Sequence, residues 1–181
     1  MRLNGKNNMI IITKKFTLRP FKKTDAKDVA KYINDKTIYN NTSHIPYPYK
    51  LKDAKEWLEK TIANYVKKKP RGFHFAIEIK KEVVGCVSLM EIQGGYKAEV
   101  GYWLARKYWG KGIMSEAVSE LVNYGVKKFK LVRIYAYVFA HNKGSEKVLK
   151  KNKFKKEGYI RKGILKDGVM MDEILLAKII K

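Results

Sequence analysis

The residues best suited to chemistry crowd one stretch, Glu99-Val-Gly-Tyr-Trp-Leu-Ala-Arg-Lys107-Tyr-Trp-Gly110-Lys-Gly112-Ile-Met-Ser-Glu-Ala117. Within it, Lys107, Tyr108, Trp109, Gly110, Lys111, Gly112 and Ile113 join a strand-like run to a helix-like run. Gly110 and Gly112 remove Cβ atoms where a backbone must approach a ligand closely. The open N–H groups of the helix start and the positive end of its dipole favour a phosphate. Lys107 and Lys111 add charge, so the segment reads as an anion cradle. It is not a Gly-x-x-x-x-Gly-Lys-Ser/Thr phosphate loop. It is also a poor dinucleotide fingerprint: Ser115 stands where the third glycine belongs, and the next strand runs out at Phe139-Ala140-His141-Asn142 without an acid. On local chemistry alone, a glycine-bearing connection with no ligand competes with the cradle.

The elements that must position this stretch follow from periodicity. Ile10–Phe21 alternates and is β-branched, which predicts a strand or two. Thr24-Asp25 opens a helix with Val29, Ala30 and Ile33 at helical spacing. Residues 36–50, with Pro46 and Pro48, read as irregular. A helix is expected over about 51–68, Trp57 lying on its core stripe. Three strands with tight turns, Phe73–Ile79, Val83–Gln93 and Lys97–Leu104, form an antiparallel meander. The helix from Ile113 leads to Val132–Ala140, a nearly continuous apolar strand expected to be buried on both faces. Asn142 starts a short helix, with Ser145 three residues on. Two strands joined at Asp167-Gly168 close the chain. The result is an α/β protein with a mixed, mostly antiparallel sheet of about seven strands and helices on both faces. Ligands of such sheets bind beyond the carboxyl ends of the strands, here near Leu104 and Ala140.

Composition bounds the rest. A chain of 181 residues, 45% hydrophobic and 12% aromatic, is long and apolar enough for one globular domain. One cysteine, Cys86, excludes an intrachain disulfide framework, and with three histidines makes a closed metal site unexpected. No apolar run approaches a membrane span or a signal-peptide core, so a cytoplasmic protein is expected, its residues 1–8 a flexible lead-in. Forty Lys and Arg against 17 Asp and Glu give a net charge of +23. An acidic partner fits that charge. So does a solvated lysine-rich exterior, because 34 of the basic residues are Lys and only six are Arg, the residue that grips phosphate and guanine. Cys86 reads as a small core residue, His74 as the polar face of a strand, His141 as a loop residue.

The central stretch resembles the acetyl-CoA motif of the GNAT acetyltransferases, Gln/Arg-x-x-Gly-x-Gly/Ala, with Lys107 at the first position, then Gly110 and Gly112. Gly101-Tyr-Trp-Leu104, Tyr108-Trp-Gly-Lys-Gly112 and Ser115-Glu-Ala117 resemble the branch that contains ribosomal-protein N-acetyltransferases. So do Phe16-Thr-Leu-Arg-Pro20, Asn142-Lys-Gly-Ser145 and Phe154-Lys-Lys-Glu-Gly158. The resemblance spans about 13–180. It implies a GNAT fold and direct acetyl transfer from acetyl-CoA to an amine, with no acyl-enzyme. This suits a chain without a Ser–His or Cys–His nucleophile pair.

The resemblance also implies roles. The coenzyme's pyrophosphate would rest on the amides of about 107–112, with Lys143 and Lys147 near its phosphates and Asn142 near its pantetheine arm. That arm would run between strands that splay apart, and a backbone N–H near Trp103 or Leu104 would meet the developing oxyanion. Glu99 is the candidate base. Ser145 is the candidate donor to the sulfur, with Tyr159 as its substitute. The carboxylate used by the ribosomal branch falls at Ile164, which takes no proton. Tyr39, Tyr47 and Tyr49 lie in the segment that walls the acceptor site. The favoured acceptor is a protein or peptide α-amine, ribosomal proteins included, and the enzyme a monomer or homodimer needing no nucleic acid. A small-molecule amine is the alternative. A non-catalytic ribosome- or RNA-binding module is the rival from another class.

Overall fold

The computed structural model describes residues 9–67 and 70–180. Residues 1–8, the expected lead-in, lie outside them. The described residues form β1 (Ile11–Ile12), β2 (Thr17–Pro20), α1 (Ala26–Ile33), α2 (Lys36–Asn40), α3 (Leu51–Tyr65), β3 (Phe73–Ile79), β4 (Glu82–Gln93) and β5 (Lys97–Leu104). Then follow α4 (Ile113–Phe129), β6 (Arg133–Phe139), α5 (Lys143–Lys151), β7 (Lys155–Lys166) and β8 (Val169–Ile179). They build one mixed sheet of eight strands in the order β1-β2-β3-β4-β5-β6-β8-β7. Every neighbouring pair is antiparallel except β5–β6.

Two apolar layers sandwich the sheet. On one face α4 buries Ile113, Ala117, Val118 and Leu121 against Phe75, Leu89, Val100 and Ile134. On the other, Val29 and Ile33 of α1 and Ala54 and Leu58 of α3 pack on Ala76, Val83, Cys86 and Trp103. A buried ion cluster ties β2 to the start of α1. The Arg19 guanidinium donates to both Asp25 oxygens at 2.8 and 2.9 Å and, through Nε, to Glu78 at 2.6 Å.

Three departures from the sequence reading have local causes. The 10–21 run, read as a strand or two, is two, because the Thr13 hydroxyl closes a turn on Phe16, and the sheet has eight strands where about seven were expected. The irregular 36–50 segment contains α2, a helix too short to show periodicity; Asp35 caps it by accepting from Thr37 and Ile38. β6 is not buried on both faces: Ile134, Ala136 and Val138 are buried on the α4 face, while Arg133 and Tyr135 are half-buried and Tyr137 is exposed on the other; β6 also loses its neighbour part-way along.

That loss is the central feature of the sheet. β5 and β6 pair only where Lys97–Glu99 meets Arg133–Tyr135. Beyond Glu99, β5 stays with β4 as far as Leu104, and β6 stays with β8 as far as Phe139. The two parallel strands therefore part in mid-sheet.

Candidate active site

Parting the strands opens the sheet from one face to the other. Side chains alternate across a strand, so Tyr102 and Leu104 face the α4 side while Glu99, Gly101 and Trp103 face the α1–α3 side. A cavity of about 830 Å³ lies on the α1–α3 side and another of about 450 Å³ on the α4–α5 side. Asn41, Thr42, Tyr102, Trp103, Asn142 and Ser145 line both. The cavities meet at those residues, in the gap between β5 and β6.

The smaller cavity is bounded by Leu104, Tyr108, Trp109, Gly110, Gly112 and Ile113. Gly110 and Gly112 both adopt φ 74°, a left-handed conformation that a side chain disfavours. A Cβ on Gly110 would meet no atom within 4 Å, so the backbone there is open to a ligand. Gly112 caps α4 without a capping side chain, which leaves the first-turn N–H groups for an anion. Trp109 Nε1 donates to the Leu104 carbonyl at 2.6 Å and fixes the loop to the strand end. Lys107 and Lys111 line neither cavity. The Lys107 ammonium turns to the Tyr32 hydroxyl at 2.8 Å and lies near Glu82. Lys143 pairs with Glu146. The cations that do border this cavity are Lys147 and, unforeseen, Lys151. Lys15 was also missed: its ammonium lies 3.7 Å from where a Gly112 side chain would begin and pairs with Glu116.

Register sorts the backbone donors at the gap. Ala105 N–H donates to Val84, with Leu104 opposite Gly85 and Trp103 opposite Cys86. Antiparallel alternation commits the Trp103 N–H to β4 and directs the Leu104 N–H toward the parting. Asn142 caps α5 by accepting the Ser145 N–H at 3.0 Å. The Ser145 hydroxyl sits 2.7 Å from the hydroxyl of Tyr102, whose pKa burial raises. Nothing in the local sequence links these two residues, which stand 43 positions apart.

The larger cavity holds Glu99 half-buried, its carboxyl raised above the ordinary range by burial and then by the charges of Glu173 and Glu91. Glu173 was not foreseen: it is 8% exposed, lines the same cavity, and burial raises its carboxyl too. Ile164 lines this cavity as well. His74 and Trp57, read from sequence as strand polarity and core, stand in its wall, ring to ring. Burial pushes His74 down to about 4, so it is neutral near pH 7, bonded to Ser88. Cys86 is buried and pushed up to about 12 by burial. Tyr49 is buried in the wall. Tyr39 and Tyr47 stack on each other outside it. The α2 end of the wall is clasped by the β7–β8 hairpin. Lys166 donates to the carbonyls of Tyr39 and Thr42 at 2.9 and 2.7 Å, and the Tyr39 hydroxyl bonds Asp167. Tyr159 lies elsewhere, exposed and bonded to Asp172, and His141 is also exposed.

Residues 15–155 match the acetyltransferase (GNAT) domain. The chain belongs to the GNAT acetyltransferase family. It is 32% identical to the uncharacterized N-acetyltransferase p20 of Bacillus licheniformis over 148 residues, 80% of this chain and 82% of that protein. Its structure is similar to that of the ribosomal-protein-S5-alanine acetyltransferase from Vibrio fischeri, with TM-score 0.84, 28% identity and coverage of 95% and 97% of the two chains. It shares its fold with RimL, a ribosomal L7/L12 alpha-N-protein acetyltransferase in complex with coenzyme A, at TM-score 0.85, 20% identity and coverage of 94% and 98%. This protein is thus an N-acetyltransferase that uses acetyl-CoA as donor. The acetyltransferase's glycine-rimmed smaller cavity suits an acyl donor with phosphates. Among the described residues, no helix is long and apolar enough to cross a membrane, and no His, Cys, Asp or Glu side chains gather as a metal site.

Proposed function

We propose that this enzyme transfers acetyl directly from acetyl-CoA to a primary amine, favouring the N-terminal α-amine of a peptide or protein, ribosomal proteins among them. The observation that carries the reading is the meeting of two cavities, one per face of the sheet, at Ser145 and the parted strands. A donor on the α4–α5 side and an acceptor on the α1–α3 side can touch only there. The first-turn amides of α4, with Gly110, Gly112 and Lys15, would hold the pyrophosphate. The Leu104 N–H would stabilise the developing oxyanion, and the Ser145 hydroxyl would supply a proton to the departing sulfur. Glu99 stands on the acceptor side as a carboxylate that takes up protons through water. The ribosomal-protein relatives and the roomy acceptor cavity support a chain terminus as acceptor. The one buried, free cysteine suits a cytoplasmic enzyme.

Thiol release from acetyl-CoA, screened over peptides with different first residues and over small amines, tests this. Release with peptides, and a rise in Tm with acetyl-CoA alone, are the expected results. Release only with small amines overturns the acceptor class. The absence of any acetyl-CoA effect on Tm overturns the donor assignment.

A further inference from the structure

Glu173 is a buried carboxylate with no visible structural task. Its neighbours across the sheet are Phe139 in β6 and Ile160 in β7. One oxygen lies 2.9 Å from where a side chain on Gly163 would begin, so glycine leaves room for it. It forms no hydrogen bond or ion pair with the described residues, yet it is 8% exposed and lines the larger cavity. Its oxygens stay open to the cavity although the residue is largely buried, which places the carboxylate to exchange a proton there.

Its place along the strands is informative. Glu99 pairs with Tyr135, where β5 and β6 still touch, at the closed end of the parting. Glu173 pairs with Phe139, four residues further along β6, at the open end and next to the turn that leads to Asn142 and Ser145. That is about 13 Å of strand nearer the point where the cavities join. Ile164 lines the same cavity but carries no proton acceptor.

We propose that Glu173 is the catalytic residue that takes the proton from the acceptor ammonium, with Glu99 as the second carboxylate that passes it on. The inference rests on the acetyl-transfer reading above. An ammonium entering the cavity gives one proton to the Glu173 carboxylate and becomes a neutral amine. Its nitrogen pair attacks the thioester carbonyl, and the new C–N bond forms as the C–S bond breaks. The second nitrogen proton leaves as the amide forms, and the thiolate takes a proton from Ser145, whose hydroxyl that proton replenishes. The proton on Glu173 exits through the open cavity to water, with Glu99 as the next carboxylate along the way, so each turnover releases one proton. Both carboxyls are raised by burial, and the charge of Glu173 raises Glu99 further, which puts a proton acceptor closer to the working pH. The other titratable groups near Glu173 are His44, from the loop after α2, which lowers its pKa, and Tyr137 of β6; β7 brings Ile160, Gly163 and Ile164, none of which titrates.

The test compares Glu173→Gln, Glu173→Asp and Glu99→Gln with the wild type, using the best peptide from the thiol-release screen. The expected result is a kcat loss on the order of 10²-fold in Glu173→Gln, with the acid limb of the kcat/KM profile gone. Glu173→Asp should keep that limb at a reduced rate. Glu99→Gln should lower kcat less than Glu173→Gln does and leave that limb in place, since burial rather than Glu99 raises the Glu173 carboxyl. All three should keep the wild-type Tm rise with acetyl-CoA, which shows the donor site folded whatever the acceptor side does. A Glu173→Gln enzyme with an unchanged limb overturns the proposal. So does a carbon-13 titration of the wild-type Glu173 carboxyl that follows an ordinary solvent-exposed curve.

Discussion

Ser145 is held from two sides: its N–H by the Asn142 cap and its hydroxyl by Tyr102. A hydroxyl fixed this way can point at a sulfur without losing rotamer entropy at the moment of reaction. Ser145→Ala should lower kcat on the order of 10²-fold while leaving the acetyl-CoA Tm rise intact. Tyr102→Phe should lower kcat less, since it frees the hydroxyl without removing it. Gly110 and Gly112 act on binding instead. Gly110→Trp fills the open rim of the donor cavity and should abolish the acetyl-CoA Tm rise. Gly112→Ala forces a side chain into φ 74° and should cost about 1 kcal/mol of stability, read from urea unfolding.

At the scale of elements, two ties set the site's shape. The hairpin of β7 and β8 turns at Asp167-Gly168, both left-handed, as a tight hairpin requires. This carries Lys166 to the carbonyls that end α2, so the acceptor wall depends on a hairpin far along the chain. Lys166→Met should raise the acceptor KM several-fold and the acetyl-CoA KM less, because Asn41 and Thr42 at the loosened end border both cavities. The second tie is Arg19 with Asp25 and Glu78, joining β2, α1 and β3. Asp25→Ala leaves a buried guanidinium with one carboxylate, Glu78, and the Pro20 carbonyl. The expected loss is about 3 kcal/mol, near the lower end for a broken buried pair because Glu78 remains. Urea unfolding measures it.

The whole molecule is a +23 body around an acceptor cavity bordered by four acids, Asp53, Glu56, Glu99 and Glu173, against one lysine, Lys60. Such a field attracts an acidic partner while the cavity itself suits a cation. For peptides that carry acidic residues beyond a free amino terminus, the acceptor KM should rise with ionic strength; for uncharged peptides it should stay level. A flat response for both would leave the basic exterior no part in acceptor capture. The fold was legible because its signals are local. Helical spacing, strand alternation and the turns at Gly110, Gly112 and Asp167-Gly168 each lie within a few residues, and the Asn142–Ser145 cap spans three. The cradle, being contiguous, was legible for the same reason. What the chain alone determined was thus the element order and the glycine-rich segment that marks the family. Only the tertiary structure decided which side chains meet. Lys107 belongs to the motif yet turns to Tyr32, while Lys151 borders the cavity from α5 and Lys15 approaches Gly112 from the turn after β1. The sequence puts Ile164 where a carboxylate was wanted. Strand register, a contact between distant segments with no local signature, brings Glu173 into the same cavity.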